Sequence, residues 1–175
     1  ILDNAGAGLY NLQHHALLNR DETGRFRMHS LLRQLAREKL TSPAMAEIAA
    51  QTALRHSQYF SEFIHSFENE LHRGEGKKAL QAISPERANI RAAWSYAVAH
   101  GRWQLLDSSL GGYHYFHKRK GFYTQEISLI DDAIAALPVV DGDAFLLGLN
   151  GRLCTMKAWN CLYLSQFQDG VAAAA

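Results

Sequence analysis

The sequence has only two cysteines, Cys154 and Cys161, seven residues apart. On one helix that spacing is two turns, about 10 Å between α-carbons, beyond the reach of a disulfide. A disulfide scaffold is therefore excluded, and the thiols read as reduced core groups of a cytoplasmic protein. Charge of one sign is also lacking. Lys+Arg number 18 against 17 Asp+Glu, giving a formal +1 and a pI near 8.0, so no chain-wide basic field drives sequence-independent nucleic-acid binding. No apolar run approaches the roughly 20 residues of a membrane-spanning helix. The opening Ile1-Leu2-Asp3-Asn4-Ala5-Gly6 has none of the basic-then-apolar pattern of a secretory leader. With no initiating Met and a close in Val171-Ala172-Ala173-Ala174-Ala175, the chain reads as a segment of a longer protein.

Catalytic equipment is missing as well. A phosphate-cradling loop needs G-x-x-x-x-G-K-[ST] between a strand and a helix. The nearest stretch, "GEGKKAL" from Gly74 to Leu80, has Leu71 where the first Gly belongs and Lys78 in place of Ser or Thr, and it follows a helical pattern. It reads as an interhelical turn. Of nine histidines, His114 and His117 are three apart, but no carboxylate completes an H-E-x-x-H arrangement and neither cysteine is near, so no metal site is expected. His14-His15 diverge on a helix, and most of the histidines, His56, His65 and His72 among them, read as solvent-facing or half-buried. Ser57 beside His56 finds no orienting third group, and Asp131-Asp132 reads as a solvated helix face. The expected catalytic set is empty: this chain alone is not an enzyme.

What is present is mostly helical periodicity. Leu9, Leu12, Ala16 and Leu17 recur at spacings of three and four, which predicts a short helix ending near His15. Asp21-Glu22-Thr23-Gly24 then reads as a hairpin turn, with Asp opening it and Gly supplying a left-handed position, followed by Phe26 and Met28 alternating with Arg25 and Arg27. Leu31, Leu32, Leu35, Ala36 and Leu40 form the apolar stripe of the next helix. Helix, hairpin, helix is the C-terminal part of a winged-helix layout. Ser42-Pro43 and Ser84-Pro85 read as helix starts, each with Ser as N-cap and Pro in the first turn. Between them one long aromatic helix is expected through Phe60, Phe63, Phe67 and Leu71, closed by Gly74 and Gly76. Further helices are expected near 85–100, 102–119, 122–137 and 143–167. The basic run His117-Lys118-Arg119-Lys120 reads as complementing a helix C-terminus. Gly121, Tyr123, Ile130, Ala133 and Pro138 have the relative spacings of half a tetratricopeptide-like unit, and Trp159, Leu162, Gly170 and Ala175 fit a second one in an irregular register. A plain antiparallel bundle carries the same local signals. The expected class is mainly α: a partial winged helix with a short β-hairpin, then an α-helical array, either tetratricopeptide-like or an irregular bundle.

One junction is sharper than the rest. Met28-His29-Ser30 and the following Leu31-Leu32-Arg33-Gln34-Leu35-Ala36-Arg37-Glu38 resemble the Met-His-Asp motif and subsequent helix of NB-ARC nucleotide-switch ATPases. These belong to the STAND class of signal-transduction ATPases, which includes bacterial transcriptional regulators with tetratricopeptide-like C-terminal halves. "ERANIRAAWSYAVAHGRW" from Glu86 to Trp103 and "RKGFYTQ" from Arg119 to Gln125 are similar to segments of those regulators. The resemblance implies three regions: 1–41 as the end of the winged-helix domain, 42–100 as a helical linker layer, and 101–175 as truncated tetratricopeptide-like repeats. It further implies that His29 contacts the β-phosphate of ADP in the intact parent. Ser30 stands where the family has aspartate, so that acid's role does not carry over.

The expected function is then non-catalytic regulation: a fragment that couples the ADP/ATP state of an upstream nucleotide-binding domain, its partner in the same chain, to a helical sensor or protein-interaction region. The fragment itself is expected to hold no cofactor. One alternative is an autonomous helical adaptor for a protein partner. A lesser one is a winged-helix DNA-binding module using Arg20, Arg25 and Arg27; otherwise neither nucleic acid nor membrane is expected as a partner.

Overall fold

The computed structural model describes residues 3–22, 24–74, 76–138 and 142–174. Thr23 of the hairpin turn, Glu75 of the glycine-lysine stretch, 139–141 between two expected helices, and the alanine-tail residue Ala175 lie outside the described residues. The fold is mainly α, with one two-stranded antiparallel hairpin followed by a helical array. The chain divides into two compact units, 1–52 and 53–175, so the layer expected over 42–100 is shared between them.

The first unit contains α1 (Asp3–His14), β1 (Leu18–Arg20), β2 (Phe26–Met28), α2 (Ser30–Leu40) and a 3₁₀ turn, Pro43–Met45; α3 (Ala46–Ser66) starts in it. Helix α1 stops where Ala16 takes a left-handed φ of 55° and the Leu17 N–H reaches back to the Leu12 carbonyl at 2.9 Å, a C-terminal closure usually assigned to glycine. The strands pair Leu18 with Met28, Asn19 with Arg27 and Arg20 with Phe26. As the turn reading requires, Gly24 has φ 84° and its N–H donates to the Asp21 carbonyl at 2.9 Å. The Asp21 carboxylate accepts from the Arg25 N–H at 3.0 Å and from Arg27 Nε at 2.9 Å. The stripe on α2 is only partly covered: Leu32 and Ala36 are half-buried, while Leu31, Leu35 and Leu40 are exposed.

The second unit is assembled from the rest of α3 with α4 (Glu68–Arg73), α5 (Lys77–Ile83), α6 (Arg87–Ala99), α7 (Trp103–Lys120), α8 (Tyr123–Ala136), α9 (Ala144–Tyr163) and α10 (Phe167–Ala174). The single long helix expected through Leu71 is broken at Phe67. The Ser66 hydroxyl bonds the Phe63 carbonyl at 2.7 Å, a local competitor with the helical ladder. Neither expected serine cap forms. Ser42 makes no side-chain cap bond, and the Ser84 hydroxyl turns back to the Leu80 carbonyl. Pro43 and Pro85 do stand in the first turns of 3₁₀ segments. Asp143 makes the cap the sequence reading missed, accepting from the Phe145 and Leu146 N–H groups at 3.0 and 3.1 Å.

Helices α4 and α6 pack on α7, α8 packs on α9, and α10 folds back on α9. Ile64, Leu71, Ile83, Leu106, Ile130, Leu149 and Leu153 are fully buried, and Trp94, Tyr113 and Phe116 join the same cluster. Gly112 permits the close approach of α7 to α3: a Cβ there would meet the Ile64 carbonyl oxygen at 2.3 Å. None of the described helices is long and apolar enough to cross a membrane.

Candidate functional site

His29 sits between β2 and α2 as the N-cap residue, with an extended backbone of φ −58° and ψ 144°. Its Nδ1 accepts a long hydrogen bond of 3.4 Å from the Leu31 N–H, and its carbonyl accepts from the Arg33 N–H at 3.0 Å. An imidazole that accepts at Nδ1 carries its proton on Nε2. The side chain is exposed, so that N–H is presented to the surroundings beside the uncompensated N–H groups of a helix start. On the adjacent hairpin, Arg20 Nε donates to the Gly24 carbonyl at 3.0 Å and Arg27 pairs with Asp21. These two guanidiniums, part of the expected DNA-contacting set with Arg25, are held within the hairpin.

The second unit contains polar chemistry that the sequence did not reveal. His114 and His117 are 7% and 3% exposed; six of the nine histidines are exposed and His56 is half-buried. His114 Nδ1 lies 2.9 Å from Glu126 Oε1 across the α7–α8 contact. Burial pushes the Glu126 carboxyl up, opposed by its hydrogen bond and attraction to His114. Glu126 Oε2 and both Asn160 amide atoms on α9 make no well-formed hydrogen bond among the described residues.

His117 faces a different environment. Its Nδ1 is 2.9 Å from the Tyr113 carbonyl, which can only accept, so Nδ1 carries the proton and Nε2 is left as an acceptor. Burial lowers its pKa to about 4. The Tyr113 ring stacks on that imidazole at 4.2 Å and meets Trp94 in a tilted contact at 4.7 Å between centroids, and burial first, then Glu126, raises the Tyr113 hydroxyl far above its ordinary value. Of the basic run on α7, Arg119 does cap a free carbonyl, that of Leu71 near the end of α4, at 3.3 and 3.2 Å. Lys118 lies 5.3 Å from the Tyr163 ring centroid.

Two cavities flank these groups. One, about 670 Å³, is lined by aromatic and cationic side chains including His72, Tyr115, Lys118, Trp159 and Tyr163. The other, about 260 Å³, lies between α6, α7 and α8 against Arg87, Arg91, Tyr113 and His117. The two cysteines are free thiols, and no cluster of three or more His, Cys, Asp or Glu suited to a metal ion occurs among the described residues. The Arg87/Arg91 and Tyr113/His117 spacings of four were visible in the sequence. The convergence of both pairs on one cavity was not. No family model, curated protein or solved structure matches the chain.

Proposed function

We propose that this chain is a regulatory, non-catalytic part of a nucleotide-switch signalling ATPase of the NB-ARC type, in which residues 1–41 end a winged-helix domain, residues 42–100 form a helical linker layer and residues 101–175 begin a tetratricopeptide-like sensor region. The observation that carries this reading is the geometry of His29. An exposed imidazole with Nε2–H available, at the amino end of α2, is suited to donate to a diphosphate held by a neighbouring module. Burial of that ring in an apolar interior would have left the reading without a mechanism. In the parent, ADP bound partly through His29 favours a closed form. Exchange for ATP, or a signal on the helical region, shifts the population because it binds the two forms unequally. The parent acts in the cytoplasm on transcription or another signalling output, and its partner for this segment is the upstream nucleotide-binding domain.

Two experiments test this. The gene upstream of Ile1 should encode a P-loop and a strand-borne acidic motif; a start codon there supports the adaptor reading instead. In the intact parent, His29→Ala should speed ADP release by about tenfold, the equivalent of one charge-assisted hydrogen bond, and raise basal output. Unchanged ADP retention and output would remove His29 from the switch.

A further inference from the structure

The geometry points to a small-molecule site in the cavity between α6, α7 and α8, taking a compact oxyanion that also carries a hydroxyl group, through Arg87, Arg91, Tyr113 and His117. The cavity holds about 260 Å³, which suits a ligand the size of a small organic acid or a short phosphate ester. This inference does not depend on the nucleotide-switch reading, since every residue in it belongs to the second unit.

Charge sets the class. Arg87 and Arg91 are four residues apart and so share one face of α6. Both line the cavity, and both are close enough to act electrostatically on the Tyr113 hydroxyl. Neither has a carboxylate partner among the described residues, and no described Asp or Glu lines the cavity. Glu126, the nearest acid to Tyr113 on α8, is engaged with His114. Arg87 is held in place by stacking, its guanidinium carbon 4.5 Å from the Phe122 ring centroid, so less freedom is lost when it forks onto an oxyanion. From the third side, Thr124 and Gln125 also line the cavity. They belong to the first turn of α8, whose N-cap residue, Phe122, supplies no side-chain cap; the free N–H groups there favour negative charge.

Two buried groups specify the rest of the ligand. The Tyr113 hydroxyl, on a residue 2% exposed, makes no hydrogen bond among the described residues and can donate to the oxyanion. The His117 Nε2 is an acceptor, because the Tyr113 carbonyl fixes the proton on Nδ1. A bare oxyanion does not satisfy that acceptor, whereas a hydroxyl next to the oxyanion does.

The test is calorimetric titration of the intact chain at constant ionic strength with malate, with glycerol 3-phosphate, and with succinate and glycerol as the probes lacking hydroxyl and charge respectively. Saturable binding of malate or glycerol phosphate with Kd at or below about 1 mM is expected, and whichever binds tighter identifies the acid as carboxylate or phosphate. Succinate should bind less tightly than malate, and glycerol not at all. Replacing both exposed arginines, Arg87→Gln with Arg91→Gln, should weaken binding by tenfold or more, roughly one charged hydrogen bond, with an unchanged circular dichroism spectrum. Should that variant lose its fold, the wild-type chain still decides through the ¹⁵N shift of His117 Nε2, which must move on ligand saturation. Failure of both anions to bind saturably, equal binding by the arginine variant, or an unmoved His117 signal overturns the site.

Discussion

In residues 6–52 a single described side chain is buried, Leu18 at 7% exposure, while Tyr10, Leu31 and Ile48 are all more than half exposed. In residues 53–173 a continuous cluster runs from Ile64 to Leu153. The two regions have similar kinds of sequence, with amphipathic helices and short turns in both, yet they are held by different forces. The first is organised by local hydrogen bonding: a carboxylate-centred hairpin turn, a histidine cap, and a left-handed closure at Ala16. The second is organised by apolar burial, at about 1.5–3 kcal/mol for each large side chain removed from water. With Leu18 the one described side chain buried in residues 6–52, this unit of roughly 50 residues has little apolar burial to offset its chain entropy. The proposed neighbour on the His29 side would supply the missing cover.

The contrast can be broken first at Phe116, among the largest fully enclosed side chains of the second unit. Phe116→Ala should cost about 3–5 kcal/mol through lost transfer energy and a cavity, read as the shift in urea unfolding of the intact chain. A loss under about 1 kcal/mol would show that the core is not tightly packed.

The buried histidine gives the next largest effect. Because the folded pKa of His117 is lowered to about 4 from 6.5, its contribution to stability is fully present above pH 6.5 and is lost as pH falls toward 4. At about 1.36 kcal/mol per pH unit this amounts to no more than ~3 kcal/mol. Glu126 works in the opposite sense, since its folded pKa is raised by burial. Its contribution is complete below the ordinary carboxyl value and is lost as pH rises through the folded one. Comparing wild type with His117→Phe isolates the histidine. The variant should lose less stability between pH 7 and pH 4.5, and equal losses would mean that His117 is hydrated in solution.

The smallest effect sharpens the comparison from the other side. Leu31, 69% exposed on α2, should tolerate Leu31→Ser within about 0.5 kcal/mol, measured by hydrogen exchange of the first unit's amides. A loss above about 2 kcal/mol would mean that this face is covered in solution after all, and the two regions would no longer differ in kind.

The sequence was most legible where structure depends on near neighbours. Gly24 was read as a left-handed turn position and Gly74 as a helix end, and each has a positive φ, at 84° and 91°, whereas Gly76, read as part of the same helix end, caps the start of α5 with φ −73°. The helices over 103–120 and 123–136 fall within a residue of expectation. Legibility failed where a competing local bond intervened, at Ser66 and Ser84, because a hydroxyl chooses among several backbone partners that spacing does not rank. It failed again at His114 and His117, where polar residues on a basic-looking helix end face inward.

Periodicity by itself determined that this protein is mainly helical, where most of its turns fall, and that an imidazole stands at the start of α2, since those features follow from bonds between residues up to four or five positions apart. Only the tertiary structure decided that His114 meets Glu126, that Tyr113 packs between Trp94 and His117, and that two arginines and a buried acceptor line one cavity. Such meetings depend on the rotation and crossing of whole helices, which is set by how their side chains interlock and not by the spacing within any one of them.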